Sequence, residues 1–242
     1  MSNIVIIGKD LPDNLDLAEA LAARNKTVFI TSKSETETSN FESERIFATT
    51  WNKASAISAH SLIIKAETRL GNIDEVLFYF DAYNYASKFE VDRTEEVASA
   101  VDVMINSYLY STFELLKRID QRKENIIVSF LLKEYPSKYN NLLSKTTGVV
   151  PANTLVSTAA NAFVSIAESF STAVSERNYL SVLLAKCSFN SDIYKNEKLI
   201  ADWLAESIDT IKNSKKAQTV KQSTVWNKVG GKVQTGFSLF SR

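Results

Sequence analysis

Cysteine and histidine are almost missing from this sequence, and so is any long apolar run. The 242 residues contain one cysteine, Cys187, and one histidine, His60, which excludes an intrachain disulfide and a metal site built from thiolates. No apolar stretch approaches the ~18 residues that a membrane-spanning helix needs. The first residues also lack the charged and apolar pattern of a secretory leader. We therefore expect a cytoplasmic protein with no metal ion and no membrane partner.

Neither sign of charge is in excess. Lys+Arg and Asp+Glu both number 28, so the chain as a whole has no electrostatic field that would attract nucleic acid. Apolar residues make up 45% of the sequence, which at this length is enough for one sizeable core. The composition predicts one main domain and no nucleic-acid partner.

Short apolar runs of strand length alternate with segments whose apolar residues recur at helical spacing. Because the runs are unbroken, they indicate strands that are covered on both faces, as in a parallel sheet. The alternation predicts an α/β fold, a doubly wound Rossmann-like parallel sheet of about six to seven strands with helices on both faces. We predict strands at 4–7, 27–30, 46–48, 75–80, 126–132 and 180–185, and helices at 15–22, 57–70, 97–116, 155–170 and 199–211.

The chain is predicted to change character at about residue 213. Residues 1–213 are expected to form a single Rossmann-like domain, whereas 214–242 are polar and carry lysines and a glycine-containing, aromatic end. We predict an edge strand at 219–226. Beyond Gly230 and Gly231 we expect a flexible extension or a segment that docks on a neighbour. This C-terminal tail is the natural contact for a protein partner.

The order of these elements resembles the short-chain dehydrogenase/reductase family over about residues 3 to 210. Gly8 falls on the first glycine of that family's TGxxxGxG turn, and LDLAEALAARNKTVFI follows as its first helix and second strand. LGNIDEVLFYF matches the strand that carries GxxDxLVNNAG. In VDVMINSYLYSTFELLKR, Asn106 falls on the family's helix asparagine, and Ser129 falls on the strand that bears the catalytic serine. The resemblance implies an NAD(P)-binding fold, with Gly8 near the cofactor and with Asn106 and Ser129 as catalytic candidates.

The residues that hold a dinucleotide in that family are replaced here. The second and third glycines of the turn fall on Pro12 and Asn14, although such glycines let backbone N–H groups approach a pyrophosphate. Pro12 has no N–H to donate. The carboxylates of Asp10, Asp13 and Asp16 surround the helix start, where they complement the helix dipole and repel a phosphate. We therefore predict no cofactor, with NAD(P) as the alternative.

The family's proton-transfer pair is absent as well. The tyrosine and lysine of its YxxxK motif fall on Ser157 and Asn161, and no tyrosine or lysine occurs anywhere from 149 to 174. The NNAG segment falls on 78–81, where three aromatic rings replace small residues. Conventional dehydrogenase catalysis is not expected without the phenol and its neighbouring ammonium. We expect the rings of FDAYNYASKF, residues 80–89, to fill the vacated cofactor crevice.

A relocated active site is the alternative. Tyr135 and Tyr139 follow the Ser129 strand at the carboxyl edge of the sheet, where open α/β folds bind ligands, and either phenol would supply a proton. Ser32 and Lys33 follow the second strand and are the kind of pair that meets a phosphate on an adenosine ribose. Solvated loops explain the same residues without a ligand.

Two functions of different classes therefore compete. The first is a non-catalytic pseudoenzyme of this fold that acts as an oligomeric scaffold or binding module. The second is an atypical NAD(P)-dependent short-chain oxidoreductase, and a crevice for another small metabolite is a third possibility. The helix patterns over 97–119 and 154–174 match helices that form a subunit interface in the family. The first pattern is apolar on two faces and the second is rich in small residues, so we expect a homodimer or tetramer.

Overall fold

The described residues form one sheet of seven parallel strands in the order β3-β2-β1-β4-β5-β6-β7. The structure is a computed structural model that describes residues 1–35, 38, 43–89, 94–135, 154–215 and 225–233. The predicted doubly wound α/β fold is confirmed. The strands are β1 (Ser2–Leu11), β2 (Lys26–Ser32), β3 (Ile46–Thr50), β4 (Glu75–Asp81), β5 (Ile126–Lys133), β6 (Leu180–Cys187) and β7 (Asn227–Lys228).

Helices cover both faces of the sheet. One face packs against α1 and α7, and the other packs against α2, α5 and α6. Gly71, with φ of +79°, ends α2. The helices are α1 (Leu15–Ala23), α2 (Ala56–Leu70), α3 (Ala82–Lys88), α4 (Val97–Val101), α5 (Ser107–Arg122), α6 (Thr154–Ala173) and α7 (Glu197–Lys215), and one π-helical turn (Asp102–Asn106) joins α4 to α5.

The unbroken apolar strands are buried on both sides. Every residue of β4 and of β5 is buried, which matches the reasoning from their sequence. Phe78 and Phe130 stack against each other at 4.9 Å between ring centroids on the face that α2, α5 and α6 cover. Leu77 and Tyr79 point to the opposite face.

The first strand runs further than its apolar run predicts. β1 pairs Val5 with Phe29 of β2, bulges, and then pairs Asp10 with Thr31. The bulge places four residues of β1 opposite one residue of β2. The chain therefore passes Gly8 as strand and turns toward α1 only after Leu11, rather than opening into a glycine-rich loop.

The described part of the C-terminal segment adds a short strand to the sheet. β7 at Asn227–Lys228 pairs with β6. Val229 is buried, and the indole N–H of Trp203 donates to the carbonyl of Gly231 at 2.8 Å. These contacts dock 227–231 on the domain, and an edge strand at 219–226 and an extension beyond Gly231 stay predictions. Residues 219–224 and 234–242 lie outside the described residues, and a protein partner for the tail stays a prediction.

Candidate functional site

The tip of β1 corresponds to the phosphate-binding turn of the short-chain dehydrogenase/reductase family that the sequence resembles. Gly8 has φ of +108°, a backbone conformation that residues other than glycine rarely adopt. A Cβ atom at this position would overlap the hydroxyl of Tyr108 and the carbonyl oxygen of Tyr79. The glycine is therefore required by the protein's own side chains, independently of any ligand.

Two tyrosines fill the space beyond this glycine. The Tyr108 hydroxyl donates to the Tyr79 carbonyl at 2.6 Å, and the Tyr85 hydroxyl donates to the Gly8 carbonyl at 3.1 Å. The two hydroxyl oxygens are 3.0 Å apart. Both side chains are buried, and burial raises the pKa of Tyr85 and raises that of Tyr108 well above its ordinary value. Both phenols therefore stay protonated and serve as hydrogen-bond donors.

More rings stand behind the two tyrosines. Phe163 of α6 contacts Tyr108 at 5.0 Å and Phe80 at 5.3 Å between ring centroids. Ser157 is only half-buried and Asn161 is exposed, so neither residue matched to the YxxxK pair lines the interior. Phe80 and Tyr85 of the predicted aromatic segment are buried and pack together beside Gly8; that they fill a vacated cofactor crevice stays a prediction.

The carboxylates around the start of α1 are paired with lysines. Asp10 lies 2.7 Å from Lys53 and accepts a hydrogen bond from Thr31 at 2.6 Å. Asp13 lies 2.7 Å from Lys88. Burial opposes the ionisation of both carboxyls, but the lysines and hydrogen-bond donors outweigh it and lower the pKa of each. The negative charge expected here is present and is neutralised internally.

The helix cap itself is unusual. Asn14 is the N-cap of α1, but its side chain makes no capping hydrogen bond. The side chain is fully buried, and neither its amide nitrogen nor its oxygen has a hydrogen-bond partner among the described residues. The Asn14 side chain thus stands at the position of the third glycine of the TGxxxGxG turn, where it takes up room that a pyrophosphate would need to approach the backbone closely.

A second cluster of buried charges lies at the carboxyl ends of β4 and β5. Glu197, the first residue of α7, lies 2.7 Å from Lys9 and 2.8 Å from Lys133, and it accepts hydrogen bonds from the Tyr79 hydroxyl at 3.0 and 3.1 Å. Lys133 also lies 3.4 Å from Asp81. Two cations and two anions therefore balance one another inside the fold.

The cluster fixes the protonation of its members. Burial opposes the ionisation of Glu197, but Lys9 and Lys133 outweigh it and lower its pKa. Burial likewise disfavours the Lys133 ammonium, but Asp81 and Glu197 reverse the effect and raise its pKa. Nearby, burial raises the pKa of the Cys187 thiol to about 11, so this thiol is not a nucleophile at neutral pH. Within the described ranges, no three His, Cys, Asp or Glu side chains are grouped to hold a metal ion.

The sequence analysis missed this cluster. Lys9, Asp81 and Lys133 each lie close to the end of an apolar strand run, which is the one local signal they give. Glu197 follows a polar stretch, and nothing in the sequence links it to Lys9, 188 positions earlier. The cluster is neutral and internally paired, so it offers no unpaired acid or base to a substrate.

The predicted catalytic residues are dispersed. Asn106 donates to Asp102 at 2.8 Å within its own helical segment. Ser129 lies in the middle of β5, four residues before the strand ends, and its buried hydroxyl has no hydrogen-bond partner among the described residues. Tyr135 follows β5 and meets the ring of Phe189 edge-to-face at 5.6 Å. Tyr139 lies outside the described residues.

The predicted phosphate pair is also divided. The Ser32 hydroxyl donates to the carbonyl of Ser34 at 3.0 Å and accepts from its N–H at 3.3 Å, which closes a local turn. Lys33 is exposed, but partial desolvation of its ammonium and the neighbouring charge of Lys88 lower its pKa. Of the two residues, only Lys33 presents its polar group to solvent.

Within the part of the chain that the structure describes, no helix has both the length and the apolar content required to cross a membrane.

Comparison with known proteins identifies relatives in fold only. No family model matches the chain, and no curated protein matches it. Among solved structures, a short-chain dehydrogenase/reductase family oxidoreductase from Aeromonas hydrophila matches with a TM-score of 0.65 at 13% identity, over 86% of this chain and 91% of that one. These values show a shared fold.

Two further solved structures contain a nicotinamide cofactor. The 3-ketoacyl-(acyl-carrier-protein) reductase of Brucella melitensis, complexed with NADH, matches with a TM-score of 0.61 at 12% identity, over 94% of this chain and 96% of that one. The alcohol dehydrogenase of Thermococcus sibiricus, complexed with 5-hydroxy-NADP, matches with a TM-score of 0.55 at 14% identity, over 94% and 95%. The chain thus has the fold of the short-chain dehydrogenases.

Proposed function

We propose that this chain is a non-catalytic protein of the short-chain dehydrogenase fold and that it works as an oligomeric binding module. The observation that supports this most directly is the filled tip of β1. Tyr85 and Tyr108 form hydrogen bonds with the backbone of Gly8 and Tyr79, in the space that a dinucleotide's pyrophosphate would need. Beside it, the buried side chain of Asn14 stands at the position of the family's third glycine, and Asp10 and Asp13 form ion pairs with Lys53 and Lys88.

The chemistry supports the same proposal. A dehydrogenase of this family needs a group that takes or gives a proton next to the substrate. α6 carries no tyrosine or lysine. The phenols of Tyr85 and Tyr108 are buried and hydrogen-bonded to the backbone, and their raised pKa values keep them protonated. The fold is therefore retained in this proposal without the groups that transfer a proton.

Cofactor binding tests the proposal directly. We expect isothermal titration with NADH and NADPH to give no heat of binding up to millimolar cofactor, because the two tyrosines occupy the pyrophosphate position. Binding at micromolar strength, equivalent to about 8 kcal/mol, would contradict the proposal. If that binding were lost in Lys33→Glu but kept in Lys198→Glu, a control on α7, the atypical oxidoreductase with its phosphate at Lys33 would be the correct alternative.

The oligomeric part of the proposal rests on one exposed ring. Met104 and Leu115 of the long α4–α5 segment are buried in the monomer core, but Phe113 of α5 stays 65% exposed. An exposed ring on a helix that packs beside α6 is a suitable centre for an interface between two copies. We propose a homodimer through α5 and α6.

Sedimentation tests the dimer. We expect the wild-type chain to sediment at about twice its 27.0 kDa mass at micromolar concentration, and Phe113→Glu to sediment as a monomer because the change places a charge inside the contact. Leu199→Glu is the matched control, since Leu199 is an exposed apolar residue on α7, at the opposite face of the sheet. A wild-type monomer, or dissociation by the control alone, would rule out this interface.

A further inference from the structure

The outer edge of β3 has no strand beside it in the part of the chain that the structure describes. There, β3 is the last strand in the sheet order and pairs only with β2. Val28 donates to the carbonyl of Arg45 at 2.8 Å, and Trp51 donates to that of Ser32 at 3.3 Å. Because backbone groups alternate in direction along a strand, the odd-numbered residues of β3 face β2. The N–H and C=O groups of Ala48 therefore point away from the sheet.

A groove of about 720 Å³ runs beside this edge. Phe47 and Thr49 of β3 form one side, and Lys65 and Arg69 of α2 form the other. The Arg69 guanidinium lies 4.0 Å from the centre of the Phe47 ring, and the Lys65 ammonium donates to the Thr49 hydroxyl at 3.4 Å. The groove therefore combines an apolar floor with two cations.

The charge of this groove is not balanced. Lys65 and Arg69 are exposed, and neither forms an ion pair with a described residue. Among the described residues that line the groove, Glu44, which precedes the start of β3, is the one carboxylate. These residues thus supply two cations and one anion, with both cations on the α2 side.

The spacing of the two cations matches an extended chain. Lys65 and Arg69 are four residues apart on α2, which corresponds to ~6 Å along the helix axis. Alternate side chains on one face of a strand are ~6.6 Å apart. A strand laid beside β3 would therefore bring two alternate side chains to Lys65 and Arg69 in succession.

We propose that this groove binds an extended acidic segment of a partner protein, which adds a strand to the sheet beside β3. The unpaired backbone groups of Ala48 would supply the strand hydrogen bonds, and aspartate or glutamate at alternate positions would pair with Lys65 and Arg69. A second copy of this chain suits the edge less well, because two β3 edges would bring four cations together. The inference supplies a partner class for the proposed binding module.

Fluorescence anisotropy tests the inference with a labelled six-residue peptide that alternates valine and aspartate. We expect wild-type protein to bind it, and Lys65→Glu and Arg69→Glu each to weaken binding at least tenfold. Lys117→Glu, an exposed lysine of α5, should leave binding unchanged, and Glu44→Gln should not weaken it. Substituting lysine for aspartate in the peptide should abolish binding.

Strand addition has its own test. Ala48→Pro removes an outward-facing N–H, which an edge strand tolerates, and it should weaken peptide binding at least tenfold with an unchanged circular dichroism spectrum. A peptide that is N-methylated at alternate positions should fail on wild-type protein, a result that needs no variant to fold. Binding that survives both changes would reduce the groove to a simple ion-pairing surface and overturn the inference.

Two other outcomes would also overturn it. The first is a failure of the wild-type chain to bind the acidic peptide at millimolar concentration. The second is a change in the sedimentation of the chain caused by Ala48→Pro without peptide, which would identify a second copy as the occupant. The groove lies away from the tip of β1, so titration with NADH and NADPH judges the proposed non-catalytic function separately.

Discussion

Replacing Gly8 with alanine is expected to lower the free energy of unfolding by about 4 kcal/mol, the sum of backbone strain and overpacking. Gly8 has φ of +108°, and a Cβ atom there would overlap the Tyr108 hydroxyl and the Tyr79 carbonyl. The carbonyl belongs to β4 in the middle of the sheet, so it cannot move away at low cost. Urea denaturation followed by circular dichroism measures the loss.

Gly71→Ala is the matched control. Gly71 has φ of +79°, but no atom lies within 4 Å of a Cβ built there, so the change carries a conformational cost of about 1 kcal/mol and no clash. In the double variant Gly8→Ala/Tyr108→Phe, removal of the hydroxyl should make the Gly8 substitution less costly than it is in the wild-type background. If Gly8→Ala were as mild as Gly71→Ala, the tip of β1 would be open and the proposed function would lose its main support.

The fold was predictable from local patterns. Unbroken apolar runs gave six of the seven strands, because residues covered on both faces must be apolar in sequence as well. β7 was not predicted, because its two residues, Asn227 and Lys228, are too few to show a hydrophobic periodicity. Helical spacing gave the five longer helices, but Ile57, Val97 and Leu199 are exposed. Each of these residues lies in the first turn of its helix, before the part of the helix that packs on the sheet.

The candidate site was predictable only in part. Pro12 and Asn14, in place of two glycines, follow a β1 that continues as strand past Gly8 to Leu11, and the aromatic segment that starts at the end of β4 places the buried rings of Phe80 and Tyr85 near Gly8. Tyr108 meets the Gly8 position directly, but the sequence places it only within the predicted helix 97–116. Helical spacing places Tyr108 on the inner face of α5, but its contact with Gly8 of β1 depends on the tertiary fold. Contacts between distant segments leave no periodic signal in a single sequence.

Glu197→Gln is expected to lower the free energy of unfolding by about 3 to 5 kcal/mol at pH 7, the range for a broken buried ion pair. The Lys9 and Lys133 side chains are only 6% and 9% exposed. The substitution would leave both ammonium groups buried with a neutral amide, and Asp81, 3.4 Å from Lys133, would be the remaining anion. Denaturant titration at pH 7 measures the effect.

Glu206→Gln is the control for this change. Glu206 is an exposed carboxylate on the same helix, 3.5 Å from Arg24, and such a surface pair contributes roughly 0 to 1 kcal/mol. A loss below 1 kcal/mol for Glu197→Gln would mean that water reaches Lys9 and Lys133 and that the cluster is open to solvent. In that case the carboxyl edge would again be a candidate for substrate binding.

The pH dependence of stability distinguishes the ion cluster from simple loss of packing. The pKa of Glu197 in the folded state lies below its ordinary value of 4.5, so its contribution is complete above that value and is lost as pH falls through the folded pKa. The pKa of Lys133 is raised above 10.5, so its contribution is complete below that value and is lost as pH rises beyond it. We therefore expect wild-type stability to fall more steeply below pH 4.5 than that of Glu197→Gln. Glutamine has nearly the same size as glutamate but does not titrate. If the free energies of unfolding of the two proteins fell in parallel below pH 4.5, Glu197 would therefore act through its shape alone.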